Sequence, residues 1–188
     1  MNYHNITYPD MNNGDGLRVV LWLSGCSHKC KGCQNPQTWD ANSGIPFDES
    51  AKEELFRELD KDYISGLTLT GGDPLFEKNL DDVLDLVTEI NDRYNTSHDR
   101  IRLSCPQKSI WIYTGYKFED CLIKCKICDE NFFRSLRYEI IKQCDVLIDG
   151  QYIDSQRNIT LPYRGSSNQR LIDIQQTLQK GEIVLWQT

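Results

Sequence analysis

Four short apolar runs, each followed by a break in the pattern, constrain the fold of this chain most strongly. They lie at residues 17–23, 67–70, 109–113 and 145–149. Their β-branched, aromatic and aliphatic residues are typical of buried strands. Apolar residues at helical spacing between the runs predict helices that begin at Asp48 and that cover about 79–94 and 118–143. Strands that alternate with helices indicate an α/β fold with a mostly parallel sheet.

The number of strands and the turn signals set further expectations. Four strands are too few to close an eight-stranded barrel, which favours a partial (open) β/α barrel. Residues 1–16 end in a turn-forming stretch and are expected to be an irregular lead-in. Ser50 and Glu53 have the spacing of a capping box for the first helix. Because no repeat or linker divides the chain, a single domain over residues 1–188 is predicted.

The breaks after the predicted strands carry the unusual residues of this chain. A cysteine loop over 26–33 follows the first strand, and Gly71–Pro74, Thr114-Gly115 and Asp149-Gly150 follow the others. The carboxyl ends of parallel strands lie together on one rim of a sheet, where ligands bind. The sequence therefore predicts that the four loops converge on a single pocket.

The cysteine loop contains three thiols, Cys26, Cys30 and Cys33, with the spacing Cys-x3-Cys-x2-Cys. Thiolates are the ligands of iron–sulfur clusters, and a four-iron cluster normally takes four of them. Three thiolates from one loop would leave one iron free to bind a small molecule. The alternatives are ordinary buried thiols, disulfide partners, or part of a zinc site with His28 as the fourth ligand.

Composition narrows the class of protein. The net charge of −7, without a long basic run, argues against a nucleic-acid-binding surface. No apolar stretch approaches the roughly 18 residues of a membrane span, and residues 1–6 lack the features of a signal peptide. A cytoplasmic protein is expected, and in that reducing compartment clustered cysteines are more often metal ligands than disulfides.

The turn from Gly71 to Pro74 has a chemistry that suits the pocket. Without Cβ atoms, Gly71 and Gly72 allow backbone to approach a ligand closely. Asp73 adds a carboxylate, which would suit an ammonium group on a molecule bound beside the cluster. Taken alone, the same residues also form ordinary turns.

These residues together resemble a known family. The cysteine triplet and the Gly71–Pro74 turn are similar to the radical S-adenosylmethionine superfamily. Within it, the chain resembles the branch of activating components of the anaerobic (class III) ribonucleoside-triphosphate reductase. The narrower resemblance covers nearly the whole chain and also rests on Thr38-Trp39, Trp111–Tyr116, Asp145–Gly150 and Arg164–Arg170.

The resemblance implies a cofactor site made of residues from two loops. Cys26, Cys30 and Cys33 would hold a [4Fe–4S] cluster, whose free iron would bind S-adenosyl-L-methionine. Gly71, Gly72 and Asp73 would contact the methionine end, while Gly32, Cys33 and Gln34 would lie against the nucleoside. The branch commonly has tyrosine where this chain has Gln34. Trp22, Trp39 and Tyr113 are candidates to stack on the adenine instead, with packing in the core as the favoured alternative for each.

The resemblance also implies the reaction and its partners. A one-electron donor such as a flavodoxin would reduce the cluster, and S-adenosylmethionine would be cleaved to methionine and a 5′-deoxyadenosyl radical. That radical would take a hydrogen atom from a glycine of the reductase, so no side-chain acid–base pair is expected. The alternatives are a small radical enzyme acting on a purine-like metabolite and a non-catalytic zinc-binding interaction module.

Two other sets of residues keep two interpretations each. Cys121, Cys125 and Cys128 repeat the spacing of the first triplet within an insertion expected at about 117–135. They form either a packed helix stripe or, with Cys105, a second metal site. Cys144 is expected in the core. The Arg164–Arg170 motif is either a polar loop or a surface for the glycine-bearing segment of the reductase.

Overall fold

A single mixed sheet organises the fold. The computed structural model describes residues 1–95, 107–122 and 136–187. Within these ranges seven strands pair in the order β3-β1-β2-β4-β5-β6-β7. Their bounds are β1 Asn2–Asp10, β2 Leu17–Leu23, β3 Ile45–Pro46, β4 Ile64–Gly71, β5 Ser109–Tyr113, β6 Val146–Asp149 and β7 Arg170–Asp173. In this described part, β3 and β7 are the two edges and do not pair with each other, so the sheet is open.

The four central strands are those that the apolar runs predict. β2, β4, β5 and β6 are mutually parallel in that order. The α/β class and the parallel centre are therefore confirmed. The predicted bounds of β2 and β5 agree with the structure, whereas β4 extends beyond the predicted 67–70 at both ends.

The edges of the sheet differ from the sequence prediction. Residues 1–16 were expected to be irregular, but Asn2–Asp10 forms β1, antiparallel to β2. At the other edge β7 is antiparallel to β6. β1 is largely polar, with only Tyr3 and Ile6 buried, and β7 is a four-residue strand that alternates little and contains just two apolar residues, Leu171 and Ile172. Such strands lack the apolar pattern that identifies a central strand, and pairing with a neighbour decides their conformation.

Helices cover one face of the sheet. Their described bounds are α1 Glu49–Leu59, α2 Leu80–Ile90, α3 Phe118–Cys121, α4 136–141 and α5 Ile174–Lys180. The buried stripes of α1 and α2 pack with alternate strand residues such as Leu21, Leu69 and Ile112 in one core. Among the described residues no helix is both long and apolar enough to span a bilayer.

The opposite face of the sheet carries a smaller aromatic core. Trp111 packs there with Val146, Ile148 and Leu171, and the rings of Tyr163 and Trp186 meet its ring edge-on at 5.3 and 5.6 Å. Arg18 is fully buried beside them, with its guanidinium 5.2 Å from the Trp111 ring centroid. Its nitrogens donate to strand carbonyls, so this face of the sheet is partly polar.

The start of α1 corrects one sequence prediction. Asp48, rather than Ser50, is the N-cap, and its Oδ1 accepts a hydrogen bond from the Ala51 amide at 3.0 Å. Glu53 lies beyond the third helical position and cannot complete a capping box with Asp48. The capping box predicted from Ser50 and Glu53 is therefore wrong, because the helix begins two residues earlier than that motif requires.

Replacing Asp48 by alanine is expected to reduce the free energy of unfolding by about 1 kcal/mol, because the amides of the first turn lose their side-chain acceptor. Ser50→Ala, an exposed change in the same turn, serves as the control and should have almost no effect. Urea unfolding followed by circular dichroism measures both. Equal effects of the two substitutions would contradict the assignment of the cap.

Candidate functional site

A cavity of about 550 Å³ lies at the carboxyl ends of the parallel strands. Its lining includes residues from all four predicted loops: Cys26, Cys30, Cys33, Gly71, Gly72, Asp73, Thr114, Gly115 and Gly150. The predicted convergence on one pocket is therefore confirmed. Further lining comes from the aromatic face of the sheet and from a loop over residues 157–165.

The cysteine loop is held in place by its own backbone and by the segment that follows it. The amides of Gly25 and Cys26 donate to the carbonyls of Thr38 and Trp39 at 2.7 and 3.1 Å. Inside the loop the Cys33 amide donates to the Cys30 carbonyl at 3.1 Å. The three thiols are unbridged, partly exposed and on the cavity wall. They are available as ligands, and the disulfide alternative does not apply to them.

Burial affects the protonation of these thiols. It raises the pKa of Cys26 to about 11, with the Asp73 charge as the second cause. Burial also raises the pKa of Cys30. Both thiols are therefore protonated at neutral pH when no metal is bound, and a metal centre that takes them as thiolates must displace their protons.

The two glycines of the Gly71–Pro74 turn join this turn to the cysteine loop. A Cβ on Gly72 would lie 2.5 Å from the Gly25 carbonyl oxygen, and one on Gly71 would lie 2.8 Å from the Leu23 amide nitrogen. The Gly72 and Asp73 amides donate to the carbonyls of Leu23 and Gly25, each at 2.7 Å. The close approach that the glycines permit is thus to backbone leading into the cysteine loop, while both residues still line the cavity.

Asp73 connects the ends of β4 and β5 through its carboxylate. The residue is only 2% exposed. Its oxygens accept hydrogen bonds from the Leu75 amide at 2.8 Å, the Thr114 hydroxyl at 2.9 Å and the Gly115 amide at 3.0 Å. The carboxylate is therefore largely used by the protein itself, and it fixes the loop after β5 against the turn after β4.

His28 adds a contact that the cysteine spacing does not reveal. Its Nδ1 lies 2.9 Å from the side-chain nitrogen Nε2 of Gln151. Its ring meets the Tyr116 ring edge-on, with the two ring centroids 4.5 Å apart. Its Nε2 is 3.0 Å from Asp73 Oδ2 but poorly aligned, and finds no hydrogen-bond partner in the described part of the chain. A Cβ on Gly115 would lie 2.3 Å from the imidazole, so this glycine makes room for it. His28 ties the cysteine loop to the ends of β5 and β6.

The other residues assigned to the site do not all face the cavity. Cys33 and Gln34 line it, as do Trp22 and Tyr113. Gly32 is exposed, and a Cβ there would lie 2.7 Å from an Asp154 oxygen. Gly32 therefore serves the turn of the loop, with φ at +76°, a conformation that favours glycine.

The Arg164–Arg170 motif is mainly a scaffold. Arg170 donates to both Glu119 and Asp149, and this ion pair lowers the pKa of Glu119 to about 2. The Gln169 side chain accepts from the Gly165 amide and donates to the Gly150 carbonyl, each at 3.0 Å. Within the motif, Arg164, Gly165 and Gln169 also line the cavity. The spacing of the arginines in the sequence does not indicate which residues of the motif support the fold and which line the cavity.

The second cysteine group lies mostly outside the described residues. Cys105, Cys125 and Cys128 fall there, as does most of the insertion expected at 117–135. Cys121 is fully buried in the main core, and burial raises its pKa to about 12. Cys144 is also buried in that core, as predicted.

The donor set at the cavity fits a cluster. Among residues 1–95, 107–122 and 136–187, no three His, Cys, Asp or Glu side chains are grouped so that they could hold a single metal ion. A zinc site needs four ligands around one point, whereas the thiolates of an iron–sulfur cluster bind separate irons. Three unbridged thiols around one cavity wall suit the second arrangement.

Comparison with known proteins supports the same centre. A family model described as "4Fe-4S single cluster domain" matches residues 12–172. The anaerobic ribonucleoside-triphosphate reductase-activating protein of Enterobacteria phage T4 is 43% identical, over 91% of this chain and 93% of the phage protein. The protein of the same name from Escherichia coli (strain K12) is 36% identical over 90% of this chain and 96% of its own length. With relatives this similar over nearly its whole length, the chain belongs to the family of anaerobic ribonucleoside-triphosphate reductase-activating proteins.

Proposed function

We propose that this protein is the activating enzyme of an anaerobic ribonucleoside-triphosphate reductase and generates the glycyl radical of that reductase. The observation that carries the proposal is the cavity whose wall includes both the three free thiols and the Gly71–Asp73 turn. The names of its relatives supply the reductase as the partner. Iron–sulfur centres supply one-electron chemistry that side chains lack, and the protein contributes binding and orientation.

Cys26, Cys30 and Cys33 would hold a [4Fe–4S] cluster, and S-adenosyl-L-methionine would occupy the rest of the cavity. When bound, this pair of cofactors supplies one-electron cleavage of the sulfonium C–S bond and a radical able to take a hydrogen atom from glycine. Gly71, Gly72 and Asp73 would lie along the methionine end, with Cys33, Gln34 and the adjoining Gly32 on the nucleoside side. Two of the stacking candidates, Trp22 and Tyr113, also line the cavity.

The residues of the chain would orient the bound cofactors and exclude water from the cavity. The Asp73 carboxylate keeps the loops after β4 and β5 together, and His28 keeps the cysteine loop against them. Tyr113 and Tyr163, which pack against the aromatic core around Trp111, form part of the cavity wall. A rigid, enclosed site of this kind holds reactive species away from solvent.

The finer description of the fold belongs to the same proposal. We assign the open sheet to a partial β/α barrel of the radical S-adenosylmethionine type, formed by one domain over residues 1–188. The support is that one core includes residues from β1 through α5, and that the loops after the parallel strands share a cavity. A one-electron donor such as a flavodoxin would complete the system.

The proposal is tested by adding dithionite, S-adenosylmethionine and the purified reductase to anaerobically loaded protein. Electron paramagnetic resonance should then show a glycine-centred radical that is absent when any one component is omitted. Cleavage of S-adenosylmethionine without this signal would indicate an enzyme for another substrate. A colourless protein that contains zinc and no iron would indicate an interaction module.

A further inference from the structure

The cysteine loop has two sides with different chemistry. Its three thiols line the cavity, whereas Ser27, Lys29 and Lys31 are exposed and do not contribute to the cavity wall. The backbone of Lys29 has a φ of +45°, a conformation that residues other than glycine rarely adopt. The loop that would hold the cluster is therefore itself part of the protein surface.

The exposed side carries positive charge that the protein does not neutralise. Neither Lys29 nor Lys31 forms an ion pair with a described carboxylate, whereas Lys52, Lys61 and Lys142 each have a glutamate partner. Lys29 and Lys31 lie two positions apart in one exposed turn, on a chain whose net charge is −7. The Asp154 carboxylate lies against Gly32 of this turn and accepts from the Tyr152 hydroxyl at 3.0 Å.

A third lysine borders the same side. Lys117 is exposed and follows Tyr116, whose hydroxyl lies 3.5 Å from the Ser27 hydroxyl and whose ring contacts His28. It too has no ion-pair partner within the described ranges, although Glu119 lies near enough for Lys117 to contribute to its lowered pKa. We call the surface made by Ser27, Lys29, Lys31 and Lys117 the lysine face.

We propose that the lysine face docks an acidic one-electron carrier protein, of the class that carries a reduced flavin. This inference rests on the proposed function, which requires an external electron at the cysteine loop. The cavity side must accept S-adenosylmethionine and the glycine of the reductase, so the exposed side is the one free for the carrier. In the transfer, the carrier flavin is oxidised by one electron and the metal centre is reduced by one, and no bond is formed or broken.

Charge complementarity selects an acidic partner for the lysine face. A surface of unpaired lysines attracts a negatively charged partner, steers its approach and raises the association rate. This effect decreases as salt screens the charges. The reductase has a different requirement, because its glycine must reach the cavity side of the loop.

The test compares a charge reversal on the lysine face with a charge reversal elsewhere on the protein surface. Lys29→Glu with Lys31→Glu reverses charge on the lysine face, and Lys180→Glu reverses an exposed charge at the end of α5, the helix that follows the edge strand β7. Reduced flavodoxin is the probe. Its binding is measured by calorimetry at low and high salt, and reduction of the iron–sulfur centre is followed by its visible absorbance with flavodoxin or with dithionite.

The double variant should bind flavodoxin about tenfold or more weakly at low salt, while dithionite reduces it at the wild-type rate. Lys180→Glu should match the wild type in every measurement, and wild-type binding should weaken as salt increases. Salt-independent wild-type binding, or equal affinity of the double variant, would overturn the inference. If charge reversal lowers the iron content, the neutral Lys29→Gln, Lys31→Gln variant replaces it.

Failure of the proposed function and failure of the docking inference would give different results. Failure of that function would appear as no glycine-centred radical from wild-type protein even with dithionite. Failure of the inference alone would leave dithionite-driven radical formation intact and flavodoxin binding unaffected by the lysines. If the double variant formed no radical even with dithionite as reductant, the lysine face would be the docking surface for the reductase. That result would contradict the inference that the carrier docks there.

Discussion

Replacement of Cys30 by alanine is expected to remove the iron–sulfur centre and all activity with it. The wild-type protein, loaded without oxygen, should contain about four irons per chain, and the variant close to none. Cys30 is the middle of the three thiols on the cavity wall, so its loss leaves two ligands for a cluster that needs at least three. Iron and sulfide analysis, together with the visible spectrum, measure the effect.

The matched control for this prediction is Cys144→Ala. Cys144 is fully buried in the core beside β6 and has no place in the cavity wall, so its removal costs packing only. This variant should keep its iron and its colour even if its free energy of unfolding decreases. Normal iron content in Cys30→Ala would refute the assignment of the cluster to this loop.

The second large effect is expected for Asp73→Ala. The change leaves the Leu75 amide, the Thr114 hydroxyl and the Gly115 amide without their buried acceptor. At about 1–3 kcal/mol for each unsatisfied buried donor, the free energy of unfolding should decrease by roughly 3 kcal/mol or more. Because the loops after β4 and β5 lose their connection, S-adenosylmethionine binding should weaken at the same time.

Asp73→Asn distinguishes positioning from charge. It retains the shape and one acceptor oxygen, so it should recover much of the lost stability. Denaturant unfolding gives the stability of both variants, and calorimetry of the iron-loaded proteins gives the affinity for S-adenosylmethionine. Wild-type stability in Asp73→Ala would show that the three hydrogen bonds do not hold the loops together.

The centre of the fold was predictable because its signals are local. A buried parallel strand is apolar on both faces, so residues 17–23 and 109–113 identify β2 and β5 by composition alone. The topology of parallel strands then brings their carboxyl ends to one rim, which is why the cavity followed from the breaks after the strands. The edge strands β1 and β7 carry no such signal, because β1 is largely polar and β7 has only two apolar residues, so that pairing with a neighbour decides their conformation.

The site residues likewise fall into two groups: those that the sequence identifies and those whose contacts only the structure reveals. The cysteine spacing identifies the three thiols, because ligands of one cluster recur at short, fixed intervals. It does not reveal that His28 reaches Gln151, a residue 123 positions away, or that Arg170 is engaged by Glu119 and Asp149. Contacts between residues so distant in the chain depend on the folded backbone.

The sequence by itself determined the family, the parallel centre of the sheet and the identity of the thiols, since each of these depends on residue type and short-range spacing. Only the tertiary structure decided what the Gly71–Asp73 turn touches. Its glycines admit the backbone of residues 23–25, and its carboxylate accepts donors from the loop after β5. The physical reason is that buried polar groups must find partners, and the chain topology decides which partners are within reach.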